Sequence, residues 1–172
     1  MAYLSPIKKI YLTGFMGSGK SYVGSRLATE LGVPFIDLDA EIEATTSKSI
    51  SAIFADDGEA EFRRLETEAL RTTAALPAFV LATGGGAPCF NNNMAWMNAN
   101  GITVFLDPDL EVLLKRLEAG RDHRPLLQSG TALRKLVSDK LAARRPVYEQ
   151  ATIHLQGSEA DGAVECTLMD RL

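Results

Sequence analysis

Residues 14–21 read Gly14-Phe15-Met16-Gly17-Ser18-Gly19-Lys20-Ser21 and follow the spacing G-x-x-x-x-G-K-[ST]. Residues 7–13 (IKKIYLT), just before, read as a short buried strand. Residues 22–31, just after, carry Val23, Leu27 and Leu31 at helical spacing. A glycine-rich loop between a strand and a helix is the context of a phosphate-binding P-loop. The glycines let the backbone turn tightly with its N–H groups facing inward, and the helix start adds its positive dipole end. In such a loop Gly17, Ser18 and Gly19 cradle phosphates, Lys20 reaches the β- and γ-phosphates, and the Ser21 hydroxyl holds Mg²⁺. ATP is the expected co-substrate and Mg²⁺ the expected cofactor. The alternative is a plain Gly-rich turn, which the flanking strand and helix disfavour.

The 172 residues, 46% hydrophobic and 23% charged, suit one soluble α/β domain with a real core. A net charge of −4 and a pI near 5.2 give no basic field to draw nucleic acid or an anionic membrane. No apolar run reaches membrane-spanning length. A loop starting at Gly14 leaves no room for a cleaved leader, and Cys89 and Cys166 form no C-x-x-C pair. Two reduced thiols and a cytoplasmic, monomeric protein are expected.

Gly32-Val33-Pro34 ends the first helix. Residues 35–39 (FIDLD) read as a short strand carrying Asp37 and Asp39 at i and i+2. In an open parallel sheet, ligands bind beyond the carboxyl ends of the strands. Two apart in an extended segment, both carboxylates point the same way. One would orient Mg²⁺ and the other meet a substrate hydroxyl; the alternative is that they cap a helix starting near Ala40. Residues 40–46 and 49–54 read as short helices, and residues 59–75 as a long one with Phe62, Leu65, Ala69, Leu70 and Thr73 on one face. On periodicity alone, Arg63 is best read as paired with Glu66 on a solvated face, against an anion-binding role.

Residues 79–82 form a third strand leading into Thr83-Gly84-Gly85-Gly86, whose glycines would expose backbone N–H groups to a ligand or simply turn into the helix near residues 91–98. Residues 102–106 are a fourth strand, residues 131–145 a helix with Leu133, Leu136, Val137 and Leu141 inward and Pro146 ending it, residues 152–156 a fifth strand, and residues 159–172 a closing helix. Residues 118–130, polar and carrying Arg121 and Arg124 after Arg116, read as a mobile lid bringing arginine to a transferring phosphoryl group, or else as a basic surface loop. His123 is read as a loop residue and His154 as core or edge. The alternation of short apolar strands with helices gives a three-layer α/β fold, a parallel sheet covered on both faces.

Taken together, the P-loop, Asp37-Leu38-Asp39, Gly58-Glu59 with Phe62-Arg63 and Glu66, Thr83-Gly84-Gly85-Gly86, Arg124-Pro125-Leu126-Leu127 and Arg144-x-Pro146-x-Tyr148 resemble the shikimate kinases, in order and over nearly the whole chain. The resemblance implies the P-loop NTPase fold with strand order 2-3-1-4-5. It implies one domain over residues 1–172, a substrate-binding region at about residues 37–66 and a lid at about residues 117–130. It implies that Asp39 contacts substrate hydroxyls and is the candidate base, that Asp37 lies near Mg²⁺, and that Arg63 and Arg144 hold the substrate carboxylate, which reverses the reading of Arg63 from periodicity. Gly84, Gly85 and Gly86 become substrate-binding glycines, Arg124 the lid arginine on the phosphates, Arg116 the arginine stacked on adenine, and Glu66 the residue that holds Arg63 in place. Ser47 stands where many members have glycine, and Ser21 where many have threonine.

Two other readings stay open on residues alone. A kinase for another small hydroxy acid, such as gluconate, would keep Lys20 and Asp39 but need a different anion clamp from Arg63 with Arg144. A nucleotide-dependent regulatory protein is disfavoured: the N-K-x-D guanine motif is absent from the sequence, and Lys20, Asp39 and Arg124 are all present.

Overall fold

The computed structural model describes residues 9–120, 130–160 and 164–172. Five strands, β1 (Lys9–Thr13), β2 (Phe35–Asp37), β3 (Phe79–Ala82), β4 (Ile102–Asp107) and β5 (Ile153–Gln156), form one sheet in the order β2-β3-β1-β4-β5. Every pairing is parallel. The helices are α1 (Lys20–Leu31), α2 (Leu38–Thr46), α3 (Ile50–Asp56), α4 (Gly58–Thr72), α5 (Asn93–Asn100), α6 (Leu110–Ala119), α7 (Gly130–Tyr148) and α8 (Val164–Arg171).

Strand alternation sorts the core onto two faces. Ile10, Leu12, Val80, Val104 and Leu106 point to one side, where Val23 and Leu27 of α1 and Val164 and Leu168 of α8 cover them. Tyr11, Phe79 and Leu81 point to the other, against Leu38, Ile42, Phe62, Leu70 and Met97. Phe105 continues that second side and packs with Phe15, Leu113, Leu117, Val137 and Tyr148. With both faces covered, β3 and β4 are buried almost throughout, which is why they read as continuous apolar runs. Among the described residues no helix is long and apolar enough to cross a membrane.

Four expectations need correction. The strand at residues 35–39 stops at Asp37, and α2 begins at Leu38 because the Asp37 carboxylate caps it, accepting from the Ala40 N–H at 3.3 Å. Helix α7 runs through Pro146 to Tyr148 instead of ending before it. Proline removes one bond there, but the Glu149 N–H still donates to the Arg145 carbonyl at 2.9 Å, and Tyr148 is buried. Leu136 is 41% exposed while Leu133, Val137 and Leu141 face inward. The closing segment is a 3₁₀ turn at Gly157–Ala160 and then α8, not one helix. Ser47, at the end of α2, holds the left-handed conformation (φ 55°, ψ 24°) that glycine would adopt without steric cost.

Candidate active site

The P-loop spans the gap between β1 and α1, next to the carboxyl end of β4. Gly14 has φ +140°, and a Cβ there would stand 2.5 Å from the Leu106 carbonyl oxygen, so only glycine fits against β4. Gly17 and Gly19 also carry positive φ, and Gly19 leads directly into α1. Ser18 is buried, its N–H donating to the Phe15 carbonyl. The Lys20 ammonium sits inside the loop it closes, donating to the carbonyls of Gly14 and Phe15 at 2.9 Å each and to Ser18 Oγ at 3.3 Å. Arg116, from the last turn of α6, reaches across and donates to the Gly17 carbonyl at 3.2 Å.

Asp37 and Asp39 both come to this end of the sheet, although not as neighbours on an extended strand. Asp37 ends β2 as the helix cap, and Asp39 sits in the first turn of α2. Ser21 Oγ donates to Asp37 Oδ2 at 2.8 Å, which places a hydroxyl and a carboxylate side by side beyond the P-loop. Among the described residues no three His, Cys, Asp or Glu side chains form a metal cage. Two hard oxygen donors suit Mg²⁺, which keeps several waters and takes further oxygens from substrate phosphates. Asp39 Oδ1 is buried and has no hydrogen-bond partner among the described residues. Burial first, and then the neighbouring Asp37 charge, push the Asp39 carboxyl above the usual carboxylate range, while Lys20 pulls it back.

The glycine turn after β3 forms the opposite wall. Sequence reasoning gave those glycines the task of exposing N–H groups; the structure gives two of them a different one. A Cβ on Gly86 would lie 2.6 Å from Arg63 Nη2, and one on Gly84 would lie 2.7 Å from Glu66 Oε1 and 3.0 Å from Asp39 Oδ1. Their missing side chains make room for the polar groups of α4 and α2. Gly85 borders Arg144 on the α7 side, where an added Cβ would lie 3.7 Å from Nη1.

Arg63 points into this space from α4. Its side chain is 11% exposed, and it donates to Glu66 Oε2 at 2.8 Å and to Glu59 Oε1 at 3.2 Å from Nη2. Its guanidinium lies 4.2 Å above the Phe90 ring. Glu66 is 1% exposed; burial raises its carboxyl above the ordinary range, opposed chiefly by the hydrogen bond from Arg63, and its Oε1 has no hydrogen-bond partner among the described residues. The pairing of Arg63 with Glu66 is therefore present, but as a buried strut rather than on a solvated face. Arg144, near the end of α7, lies over the Phe15 ring at 5.7 Å. Arg124, Arg121 and His123 lie outside the described residues, as does most of the expected lid; its first part, residues 117–119, belongs to α6.

Sequence reasoning missed a neighbouring cluster. Arg145 forks onto Asp107 at 2.6 and 2.9 Å, His154 Nε2 lies 2.9 Å from the same carboxylate, and the His154 ring stacks on Phe105 at 4.5 Å. The partners are 38 and 47 residues apart; the adjacency of β4 and β5 brings His154 to Asp107, and the end of α7 brings Arg145.

Because Gly86 borders the Arg63 guanidinium, Gly86→Ala tests the fit of this wall. The colliding atoms are the far end of a flexible side chain, so the fold should survive. Arg63 is held by Glu66, Glu59 and Phe90, so it should be displaced rather than absorb the change. A misplacement of this size predicts an increase of about tenfold in KM for a substrate held by Arg63. A melting temperature within a few degrees of the wild type should accompany it; an unchanged KM would show that Arg63 does not meet the substrate.

The sequence and fold were compared with known proteins. The family model described as shikimate kinase matches residues 16–168. A shikimate kinase from Parabacteroides distasonis is 45% identical over 149 residues, covering 86% of each chain. The crystal structure of shikimate kinase from Bacteroides thetaiotaomicron superposes with a TM-score of 0.85 at 39% identity, covering 95% of this chain and 94% of that one. Shikimate kinase from Acinetobacter baumannii, solved in complex with shikimate, gives a TM-score of 0.79 at 36% identity, with 96% of both chains covered. A phosphate loop facing a pair of arginines across a glycine turn, in a chain matched almost end to end, leaves one conclusion: this chain belongs to the shikimate kinase family.

Proposed function

We propose that the chain transfers the γ-phosphoryl group of ATP to the 3-hydroxyl of shikimate, giving shikimate 3-phosphate and ADP, a step toward chorismate and the aromatic amino acids. The observation that carries this reading is the convergence of Arg63, Asp39 and Arg144 on the Gly84–Gly86 turn, with the P-loop directly adjacent. Two cations suit one carboxylate, and a carboxylate with a free oxygen suits ring hydroxyls.

The roles are those that the family resemblance implies. The P-loop N–H groups and Lys20 hold the phosphates of ATP; Lys20 exchanges its bonds to loop carbonyls for phosphate oxygens. Arg116, lying across the loop at Gly17, is placed to cover the nucleotide base. Ser21 and Asp37 would hold Mg²⁺, which supplies charge neutralisation across the β- and γ-phosphates. Arg63 and Arg144 bind the shikimate carboxylate and so fix the ring; Gly84, Gly85 and Gly86 border it. Asp39 accepts a hydrogen bond from the attacking hydroxyl through its unpartnered oxygen. In a loose transition state the proton leaves late, so Asp39 orients the hydroxyl first and accepts the proton at Oδ1 only as the new bond forms. Lys20 and Arg124 neutralise the charge developing on the transferring group. A lid carrying Arg124, closing over ATP, would exclude water and bring that arginine to the phosphates. We place the enzyme in the cytoplasm as a monomer without nucleic-acid or membrane partners; the free thiols Cys89 and Cys166 and the net charge of −4 fit that setting.

The test is ADP formation by the purified protein with Mg·ATP alone, with shikimate, and with gluconate. ADP production dependent on shikimate supports the reading. ATP binding without stimulation by shikimate overturns it, and stimulation by gluconate would reassign the acid.

A further inference from the structure

Tyr148 is the last residue of α7, wholly buried, with its ring tilted against Phe105 at 5.0 Å. Its hydroxyl donates to the Gly85 carbonyl oxygen. Burial is the main reason its phenol is pushed up to about 12, so it stays a neutral donor; the nearby charge of Arg144 pulls in the opposite direction. Tyr148 and Arg144 are four residues apart on one helix and therefore lie on one face. The hydroxyl thus holds the Gly85 peptide, and the Arg144 guanidinium borders that same residue, 3.7 Å from where a Gly85 Cβ would lie.

We infer that Tyr148 is a positioning residue for substrate binding: through Arg144 and the Gly85 peptide it holds the carboxylate clamp in register with the glycine turn. The inference rests on the assignment of Arg144 to the shikimate carboxylate. Without the hydroxyl, the Gly85 carbonyl loses its buried donor and the peptide that borders Arg144 loses its anchor, while the ring packing is retained. The arrangement also explains why α7 continues past Pro146: the last turn is needed to bring Tyr148 under the glycine turn.

The experiment is a double-mutant cycle on the full chain with Tyr148→Phe, Arg144→Ala and the combination, reading KM for shikimate, KM for ATP, kcat and melting temperature. Tyr148→Phe should raise KM for shikimate about tenfold and change kcat and KM for ATP less than about twofold. In the Arg144→Ala background the same change should alter KM for shikimate less than about twofold, because Tyr148 acts through Arg144. An unchanged KM for shikimate in Tyr148→Phe overturns the inference, and so does an effect of equal size in both backgrounds or one shared by KM for ATP, the pattern of a merely structural residue. If Arg144→Ala itself leaves KM for shikimate unchanged, the clamp assignment has failed, a result distinct from failure of Tyr148 alone.

Discussion

Replacing Lys20 with methionine is expected to lower kcat about a thousandfold, the loss seen when one preorganised charge-stabilising donor is removed from a transition state. Methionine keeps an apolar stem of similar length in a site where Lys20 is only 8% exposed, so packing changes little. Only the ammonium is lost. In the free protein that ammonium bonds two carbonyls and a hydroxyl of the loop. Those acceptors lose their donor, so a modest loss of stability, about 1 kcal/mol, should accompany the kinetic effect. Shikimate binding, measured calorimetrically, should stay within about threefold of wild type, since the proposed carboxylate clamp, Arg63 and Arg144, does not include Lys20. Turnover at the wild-type rate would refute the assignment of the P-loop.

Arg63→Ala should damage two properties at once. Loss of a charge-assisted contact to a carboxylate predicts a rise in KM for shikimate of roughly a hundredfold. The second effect is on stability, because Glu66 is 1% exposed and Arg63 is its ion-pair partner. Breaking a buried pair by removing one member costs about 3 kcal/mol or more. The cost depends on pH with a definite sign. Burial already raises the Glu66 carboxyl above its ordinary value, with Arg63 opposing the rise. Without Arg63 the folded-state value climbs further. A carboxyl raised on folding binds its proton more tightly in the folded chain than in the unfolded one. The penalty is therefore absent below the ordinary glutamate range and grows as pH rises above it. Urea unfolding at pH 5 and pH 7.5 should show the gap between variant and wild type widening at the higher pH. Glu66→Gln in the Arg63→Ala background should recover most of the lost stability; no recovery would mean that the loss comes from packing of the Arg63 stem.

The two walls of the site were unequally legible. The phosphate wall is local: the loop, its strand and its helix occupy consecutive residues, and each glycine position answers a backbone requirement that a motif can encode. Asp37 and Asp39 were placed at the correct end of the sheet by an argument about strand ends, yet the alternation argument failed because Asp37 caps a helix at once. The substrate wall is assembled from α2, α4, the turn after β3 and α7. Periodicity shows Arg63 and Glu66 three residues apart but cannot show that Gly84 and Gly86, about twenty residues on, leave a hollow that buries both. The resemblance to shikimate kinases supplied the two arginines where local physics did not. The Asp107–Arg145–His154 cluster had no signal at all, since the end of an inner strand, the last turns of a helix and an edge strand carry no shared pattern.

The strand order also has a consequence for how the chain is made. The phosphate loop hangs from β1, and β1 lies between β3 and β4. The Thr13 hydroxyl donates to the Val104 carbonyl 91 residues away, and the Thr83 hydroxyl donates to the Leu12 carbonyl 71 residues away. β1, made before either of its neighbours, therefore waits for both to emerge, with an apolar strand unpaired in the meantime. Such long-range parallel pairing folds slowly and exposes sticky edges on the way. A nascent chain released before β4 would carry the complete nucleotide motif but lack the sheet that shapes it, and should meet chaperones rather than ATP.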